Sequence, residues 1–315
     1  MISRTKGPGL NILSIAFATL LVHASVDTAR LPNSADAPAF LQSSTPRTYQ
    51  SDSARADPFT RMIQLTDAMR LQPSTDPERR AAMVEAIRNN LVATRSTFDT
   101  AELDRTLQAL STIERERFVP KIYHDLAYIS TPVGIGYDQT ISDSYIVAIM
   151  TAAVRPRPGD TVLDVGTGSG YQAAVLSRLT RSVVSIEIVA PLARRAAKRL
   201  RHLGFGNVDV IAGDGFAGVP ERAPFDAIIV AAGAQAIPAP LLEQLKPGGR
   251  LVMPIGPSQY AEQLILVTKS LTGIIARCSL GLAAFVPFTG QALHTSPSPP
   301  AAAGGPPLCY GVPVT

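Results

Sequence analysis

The sequence predicts an α/β fold: a mostly parallel seven-stranded sheet with helices on both faces and an N-terminal helical cap. Three observations predict it. Short β-branched or apolar runs at Thr161–Val165, Ser182–Ile186, Val208–Ile211, Ala227–Ala231 and Arg250–Pro254 have helical segments between most of them, notably Tyr171–Leu179, Pro191–Leu203 and Ala239–Leu245. Strands that read as unbroken apolar runs belong to parallel sheets buried on both faces. Two further runs, Gln263–Thr268 and Leu280–Val286, follow with no long helix between them, so the last pair closes the sheet as an antiparallel hairpin. Finally, a glycine-rich turn joins the first run to its helix, where such folds bind ligands.

Ahead of the sheet, Asp76-Pro-Glu-Arg opens a helix carrying Met83, Ile87 and Leu91 at four-residue spacing. A second helix, Asp99 to Ile113, repeats the pattern with Leu103, Leu107 and Leu110, and the two form the cap. After a turn-rich passage, Thr131 to Gln139, a third helix begins near Ser142, carries Tyr145, Ile146, Ile149 and Met150, and is stopped by Arg155-Pro156.

The two ends read differently. Arg4 and Lys6 precede a mainly apolar stretch from Leu10 to Val22, followed by Val22-His23-Ala24, so residues 1–24 resemble a cleavable export leader. Residues 25–57 are rich in Ser, Ala, Pro, Asp and Arg without an apolar period and read as a linker. Residues 291–315, dominated from His294 by Pro, Ala and Gly, form no packed element on this reading. No stretch reaches the roughly 18 uninterrupted apolar residues of an integral membrane segment.

Composition excludes several classes. With 46% hydrophobic and 17% charged residues among 315, the chain is neither wholly disordered nor a coiled coil. Its 29 Lys+Arg against 25 Asp+Glu leave +4, too slight a balance to indicate nucleic acid or membrane. The basic helix with Arg194, Arg195, Lys198, Arg199 and Arg201 reads as a solvated outer face, and 6% aromatic residues with no Trp offer no stacking platform for RNA. Cys278 and Cys309 lie far apart with no CxxC pair, which predicts neither a zinc site nor a disulfide framework; both read as bystanders. The four histidines are equally scattered, so no metal is expected.

The residues that carry chemistry cluster at strand ends. The first βα turn reads Val162-Leu-Asp-Val-Gly-Thr-Gly-Ser-Gly-Tyr171, with glycines at 166, 168 and 170. This is GxGxG, whereas the pyrophosphate of dinucleotides calls for GxGxxG. With Asp164 two residues before the first glycine and Thr167 inside the loop, it suits a ligand without phosphate, the amino-acid and ribose parts of S-adenosylmethionine. Glu187 ends the second strand, where an acid accepts hydrogen bonds from ribose hydroxyls. Asp214, between Gly213 and Gly215, follows the third, where the carboxylate or its neighbouring backbone could read the adenine amino group.

From about Arg80 to Gly290, two-thirds of its length, the chain resembles protein-L-isoaspartate O-methyltransferases, class I S-adenosylmethionine-dependent methyltransferases with a Rossmann-like sheet. The resemblance rests on Arg115-Glu-Arg-Phe-Val-Pro120, Ile135-Gly-Tyr-Asp-Gln-Thr-Ile-Ser142, Pro224-Phe-Asp-Ala-Ile-Ile-Val230, Leu245-Lys-Pro-Gly-Gly-Arg-Leu-Val-Met-Pro-Ile-Gly256 and Phe285-Val-Pro-Phe-Thr289. It implies a cap and substrate-side segment over 58–155 and a cofactor-binding core over 156–290. It implies Ser142 as the active-site residue beside the transferred methyl, with Gln139, Thr140 and Ile141 shaping the isoaspartyl pocket and Val286, Pro287 and Thr289 closing over it. The sequence departs from the family at Asp138, where glycine is usual, and at Asp143-Ser144, where Gln or Ala and then Pro are usual.

The implied activity is methyl transfer from S-adenosylmethionine to the free carboxyl of L-isoaspartyl and D-aspartyl residues in damaged proteins, starting repair through a succinimide. A carboxylate is ionised at neutral pH, so attack needs no general base and positioning dominates. Ser142 also reads as a helix N-cap. A class I methyltransferase for another substrate and a non-catalytic relative that binds the cofactor are the alternatives. The expected protein is a monomer acting on isoaspartyl proteins and peptides, not nucleic acid. The family implies the cytoplasm, and the leader-like residues 1–24 make the periplasm or secretion the rival.

Overall fold

In chain order, a computed structural model gives α1 (Asp76–Ala93), α2 (Thr100–Ser111), a hairpin of β1 (Val133–Gly136) and β2 (Gln139–Ile141), and α3 (Ser144–Val154). Then follow β3 (Thr161–Val165), α4 (Tyr171–Ser177), β4 (Ser182–Glu187), α5 (Ala190–His202), β5 (Val208–Ala212), β6 (Phe225–Val230), α6 (Ala239–Glu243), β7 (Leu245–Ile255), β8 (Glu262–Lys269) and β9 (Ile275–Ala283). The structure describes residues 65–69, 72–73, 75–93, 99–257, 262–291 and 307–309. The leader-like stretch 1–24 and the linker 25–57 lie outside them.

The main sheet has the order β5-β4-β3-β6-β7-β8-β9. Strands β3 to β7 run parallel, and β8 is antiparallel to both β7 and β9. Successive residues of each strand alternate between two cores, which is why the runs are apolar throughout. Val162, Val183, Ala227 and Ile229 face one core with α1 to α4, while Leu163, Val184, Ile228 and Val230 face the other. Each such buried Val, Leu or Ile contributes on the order of 1.5–3 kcal/mol. On α5 a four-residue period buries Leu192, Ala196 and Leu200 and leaves Arg194, Lys198 and Arg201 in water.

The helix boundaries follow from caps. The Asp99 carboxylate accepts Ala101 N–H at 2.9 Å and starts α2. Asp143, rather than Ser142, caps α3: its Oδ1 accepts Tyr145 N–H at 2.9 Å, so the helix begins two residues later than Ser142. Arg155, in the left-handed region at φ 48°, ends it before Pro156. The turn-rich passage closes into β1–β2 through Tyr137 and Asp138, both left-handed (φ 58° and 57°), as two-residue hairpin turns require. Asp tolerates this conformation better than most residues, so it can stand at 138 in place of glycine.

The C-terminal end differs from expectation. Strand β9 covers Ile275–Ala283 instead of Leu280–Val286, because edge pairing with β8 holds the mostly exposed Ile275-Ala276-Arg277-Cys278 while the apolar Phe285 to Phe288 leave the sheet. The two cysteines are not bystanders: Cys278 and Cys309 form a disulfide. Nor is the whole tail without packed structure, since Cys309 is buried and Leu308 bridges to Ser279. Ser279 N–H donates to Pro307 O, and Cys309 N–H to Ser279 O, both at 2.9 Å. The unpaired polar edge of β9 supplies a backbone partner that composition does not report.

The disulfide spans 31 residues, including the whole segment from Ala284 to Gln291. Closing a loop of that size removes about 3–4 kcal/mol of unfolded-state entropy. Reduction should lower the midpoint of thermal unfolding by about 6–12 °C, and Cys309→Ser should melt at the reduced protein's temperature with no further response to reductant. Identical melts with and without reductant would show that the bridge does not constrain the fold.

Candidate active site

Because the strand order reverses between β3 and β6, which stay paired to their carboxyl ends, the chains leaving those ends run in opposite directions and open a crevice. A cavity of about 760 Å³ occupies it. One wall is the turn after β3, where Gly166 (φ 94°) and Gly168 (φ 51°) take conformations that L side chains rarely adopt. Opposite stand β2 and the start of α3, and the segment after β9 forms a third wall.

Of the residues singled out in the sequence, Gly166, Thr167, Gly168, Glu187 and Gly215 line the cavity on the sheet side. Gln139, Thr140, Ile141 and Ser142 line it from the hairpin, and Val286, Pro287 and Thr289 from the closing segment. The two walls touch: a Cβ on Gly168 would lie 3.3 Å from Ile135 Cδ1.

Glu187 is buried and grips its own turn. Its Oε2 accepts Gly168 N–H at 2.7 Å and its Oε1 accepts Val189 N–H at 2.9 Å. The acid thus fixes the glycine loop while facing the cavity. These features fit S-adenosylmethionine: a loop whose backbone is bare of side chains at Gly166 and Gly168, a buried carboxylate at the neighbouring strand end, and room beside both.

Three expected cofactor residues lie behind the wall. Asp164 is fully buried, and its Oδ2 accepts the Ser185 hydroxyl at 2.7 Å; Ser185 Oγ is in turn 2.5 Å from Thr167 Oγ1. Burial pushes the Asp164 carboxyl up to about 7, the Ser185 bond opposing and the Glu187 charge reinforcing the rise. Asp164 therefore supports the loop from beneath. Gly170 makes room for α5, since a Cβ there would lie 3.1 Å from Leu200 Cδ1. Asp214 spends both oxygens on backbone, accepting Phe216 N–H at 2.9 Å and Gln291 N–H at 2.8 Å, which ties down the end of the closing segment. The adjoining Gly215 reaches the cavity in its place.

On the hairpin side, Arg115 is fully buried. Its Nε donates to Ala127 O and its Nη2 to Ser142 O, each at 2.7 Å, and its guanidinium lies 4.6 Å from the Tyr171 ring centroid. Burial lowers its pKa, while Tyr171 and Asp143 oppose that fall. Asp143, a half-buried part of the cavity wall, accepts the Ser130 hydroxyl at 2.7 Å. Burial raises its carboxyl, against the pull of Ser130, the Tyr145 amide and Arg115. Its charge is therefore engaged by the protein. The Ser142 hydroxyl makes no hydrogen bond to another described residue.

Arg115 belongs to a motif visible in the sequence, yet its reach to Ser142 across 27 positions was not. Tyr171 follows the third glycine and carries no local sign that it lines the cavity and stacks on Arg115.

Comparison with known proteins agrees with this architecture. The model of the protein-L-isoaspartate(D-aspartate) O-methyltransferase family matches residues 85–293. A protein-L-isoaspartate O-methyltransferase 2 of Syntrophobacter fumaroxidans is 47% identical over 212 residues, 67% of this chain and 86% of the relative. A solved protein-L-isoaspartate O-methyltransferase superposes with a TM-score of 0.57 at 26% identity, over 68% of this chain and 67% of that one. A Plasmodium falciparum structure in complex with S-adenosyl-L-homocysteine shares the fold, with a TM-score of 0.55 at 23% identity over 67% of this chain and 98% of its own. The chain belongs to the protein-L-isoaspartate(D-aspartate) O-methyltransferase family.

Proposed function

We propose that the cavity holds S-adenosylmethionine along the carboxyl ends of β3 and β4, and an isoaspartyl side chain beneath the hairpin, with Ser142 as the residue that aligns the carboxylate. The observation that carries this reading is the meeting, in one cavity, of the Gly166–Gly168 loop and Glu187 with Thr140–Ser142 and Val286–Thr289. Backbone at Gly166, Thr167, Gly168 and Gly215 and the carboxylate of Glu187 would hold the cofactor, which when bound supplies an electrophilic methyl group. Asp164, Gly170 and Asp214 act through the loops they support.

The substrate carboxylate is ionised at neutral pH and needs no base to activate it. The protein's own task is to place it. Ser142 Oγ–H, uncommitted within the described residues, donates to one carboxylate oxygen and leaves the other to attack. Arg115 holds that serine at its carbonyl, so the hydroxyl's position depends on a buried fork fixed by Ala127 O and Tyr171. Asp143 adds a negative group to the substrate wall, but Ser130, the Tyr145 amide and the nearby Arg115 charge take up its lone pairs and field. The acid caps α3 and does not stand bare before an incoming carboxylate.

The protein acts on polypeptide, as a monomer, on this reading. The basic face of α5 is partly committed within the chain, Arg195 lying 5.3 Å from the Tyr137 ring centroid and Arg199 Nη1 donating to Ser169 O at 2.7 Å. No helix among the described residues is long and apolar enough to cross a membrane. For compartment, the Cys278–Cys309 bridge favours an oxidising one over the cytoplasm, in line with the leader-like residues 1–24. Mass analysis of the mature N-terminus in cell fractions tests this: cleavage after Ala24 supports export, and an intact chain with free thiols in the cytosol rejects it.

Methyl transfer to an isoaspartyl peptide and to its aspartyl twin tests the activity, with selective, base-labile labelling of the first expected. Ser142→Ala should lower kcat about 10–100-fold, the worth of one hydrogen bond to a charged group, while affinity for S-adenosylhomocysteine stays unchanged. Full turnover by this variant would remove Ser142 from the chemistry. Arg115→Lys keeps the charge but loses the planar fork that spans two carbonyls, so kcat/KM should fall about 10-fold or more and the melting temperature should drop. Wild-type kcat/KM in Arg115→Lys would show that Ser142 is placed without it.

A further inference from the structure

One buried acid near the cavity has no part in the chemistry above. Glu262 opens β8 opposite Ala283 of β9 and is 3% exposed. Its Oε2 accepts Phe285 N–H at 2.9 Å. Its Oε1 lies so close to Gly233 that a Cβ there would stand 1.8 Å away. Gly233 in turn donates its N–H to Val286 O at 2.9 Å and accepts Phe288 N–H at 2.7 Å. The glutamate and the glycine thus hold the backbone of Phe285, Val286 and Phe288 just where this chain leaves the sheet and becomes a wall of the cavity.

We propose that Glu262 is a positioning residue for the isoaspartyl substrate: by gripping the Phe285 amide across Gly233, it sets where the Phe285–Thr289 segment stands over the cavity. Without that grip the Phe285 amide would be buried and unpaired, and the segment could relieve this only by moving. In the sheet order β6 and β7 stand between β8 and the cofactor wall at the ends of β3 and β4, so the effect falls on substrate. The inference rests on the reading that this segment closes over the substrate.

Burial pushes the Glu262 carboxyl up to about 7, with the Phe285 amide pulling the other way. The stretches packed against it, Ala231–Ala234, Ile255–Gly256 and Ala283–Val286, contain no titratable side chain. The ionised carboxylate is the stronger acceptor, so the grip tightens as the proton leaves, and KM should fall as pH rises through about 7.

The test uses the full chain with Glu262→Ala, Glu262→Gln and Gly233→Ala. It measures amide exchange over residues 285–289, KM for an isoaspartyl peptide from about pH 6 to 8, and affinity for S-adenosylhomocysteine. Glu262→Ala should speed exchange and raise KM about 10-fold, with cofactor-product affinity held within about two-fold. Glu262→Gln keeps an acceptor of the same shape and should restore KM to within about three-fold, without the pH dependence of the wild type. Gly233→Ala, which displaces the carboxylate, should behave like Glu262→Ala and stands in for it if that variant does not fold. Unchanged exchange overturns the grip. Faster exchange with wild-type KM overturns the segment's role in substrate binding as well, and a parallel loss of cofactor-product affinity marks a general collapse of the pocket instead of positioning.

Discussion

The guanidinium of Arg115 joins three parts of the chain from within the core. It reaches the turn at Ala127, the end of the substrate hairpin at Ser142 and the first residue of the helix after the glycine loop, Tyr171. A buried charge costs several kcal/mol unless its donors are satisfied, which makes the arrangement intolerant of small shifts. Here two charge-assisted hydrogen bonds, from Nε and Nη2, and the face of an aromatic ring supply part of the compensation, while Nη1 is buried without a hydrogen-bond partner among the described residues. The cap therefore stands in fixed register with the sheet. The cavity between them has one shape because moving either wall would strand this charge.

The third wall is held by a different device. Beyond β9 the chain has no ladder to join, so side chains from neighbouring elements take up its amides: Glu262 at Phe285 and Asp214 at Gln291, with Gly233 pairing to Val286 and Phe288 between them. Further out, Leu308 and Cys309 cover the edge of β9, and the disulfide fastens them there. The closing segment is thus bounded on one side by a sheet strand and on the other by a covalent link. Its place is set by these polar contacts together with Phe285 and Phe288, each buried in one of the two cores.

How far the sequence discloses this depends on how local each signal is. Parallel strands buried on both faces announce themselves as apolar runs, and left-handed loop positions as glycines, because both demands are met by the residue itself. Helix α3 starts at Ser144, two residues beyond Ser142, because Ser142 and Asp143 are equally good caps in sequence and only Ser130, 13 positions before the acid, and Arg115, which holds the Ser142 carbonyl from 27 positions away, favour the acid. Asp164 and Asp214 stand where cofactor-binding acids are expected, yet a strand-end side chain points into or behind a cavity according to its neighbours, here Ser185 and Gln291. The disulfide is hidden by a Pro- and Ala-rich tail whose residues 307–309 pair with an open strand edge. Glu262 bears no mark at all in sequence, since its meaning lies in an amide 23 residues away.

A pattern runs through these acids. Glu187, Asp143, Asp214 and Glu262 surround the cavity, and each accepts a hydrogen bond from a backbone N–H: Gly168 and Val189, Tyr145, Phe216 and Gln291, and Phe285. None is paired with a lysine or arginine in a direct salt bridge among the described residues. This is the economy expected where the nucleophile arrives already ionised. With no proton to remove, a carboxylate of the protein has no acid–base task at the reacting atoms, and its strongest use is to hold main chain in place through charge-assisted bonds. The same use draws each acid's charge into the protein's own amides, which lowers the repulsion that an incoming substrate carboxylate would meet.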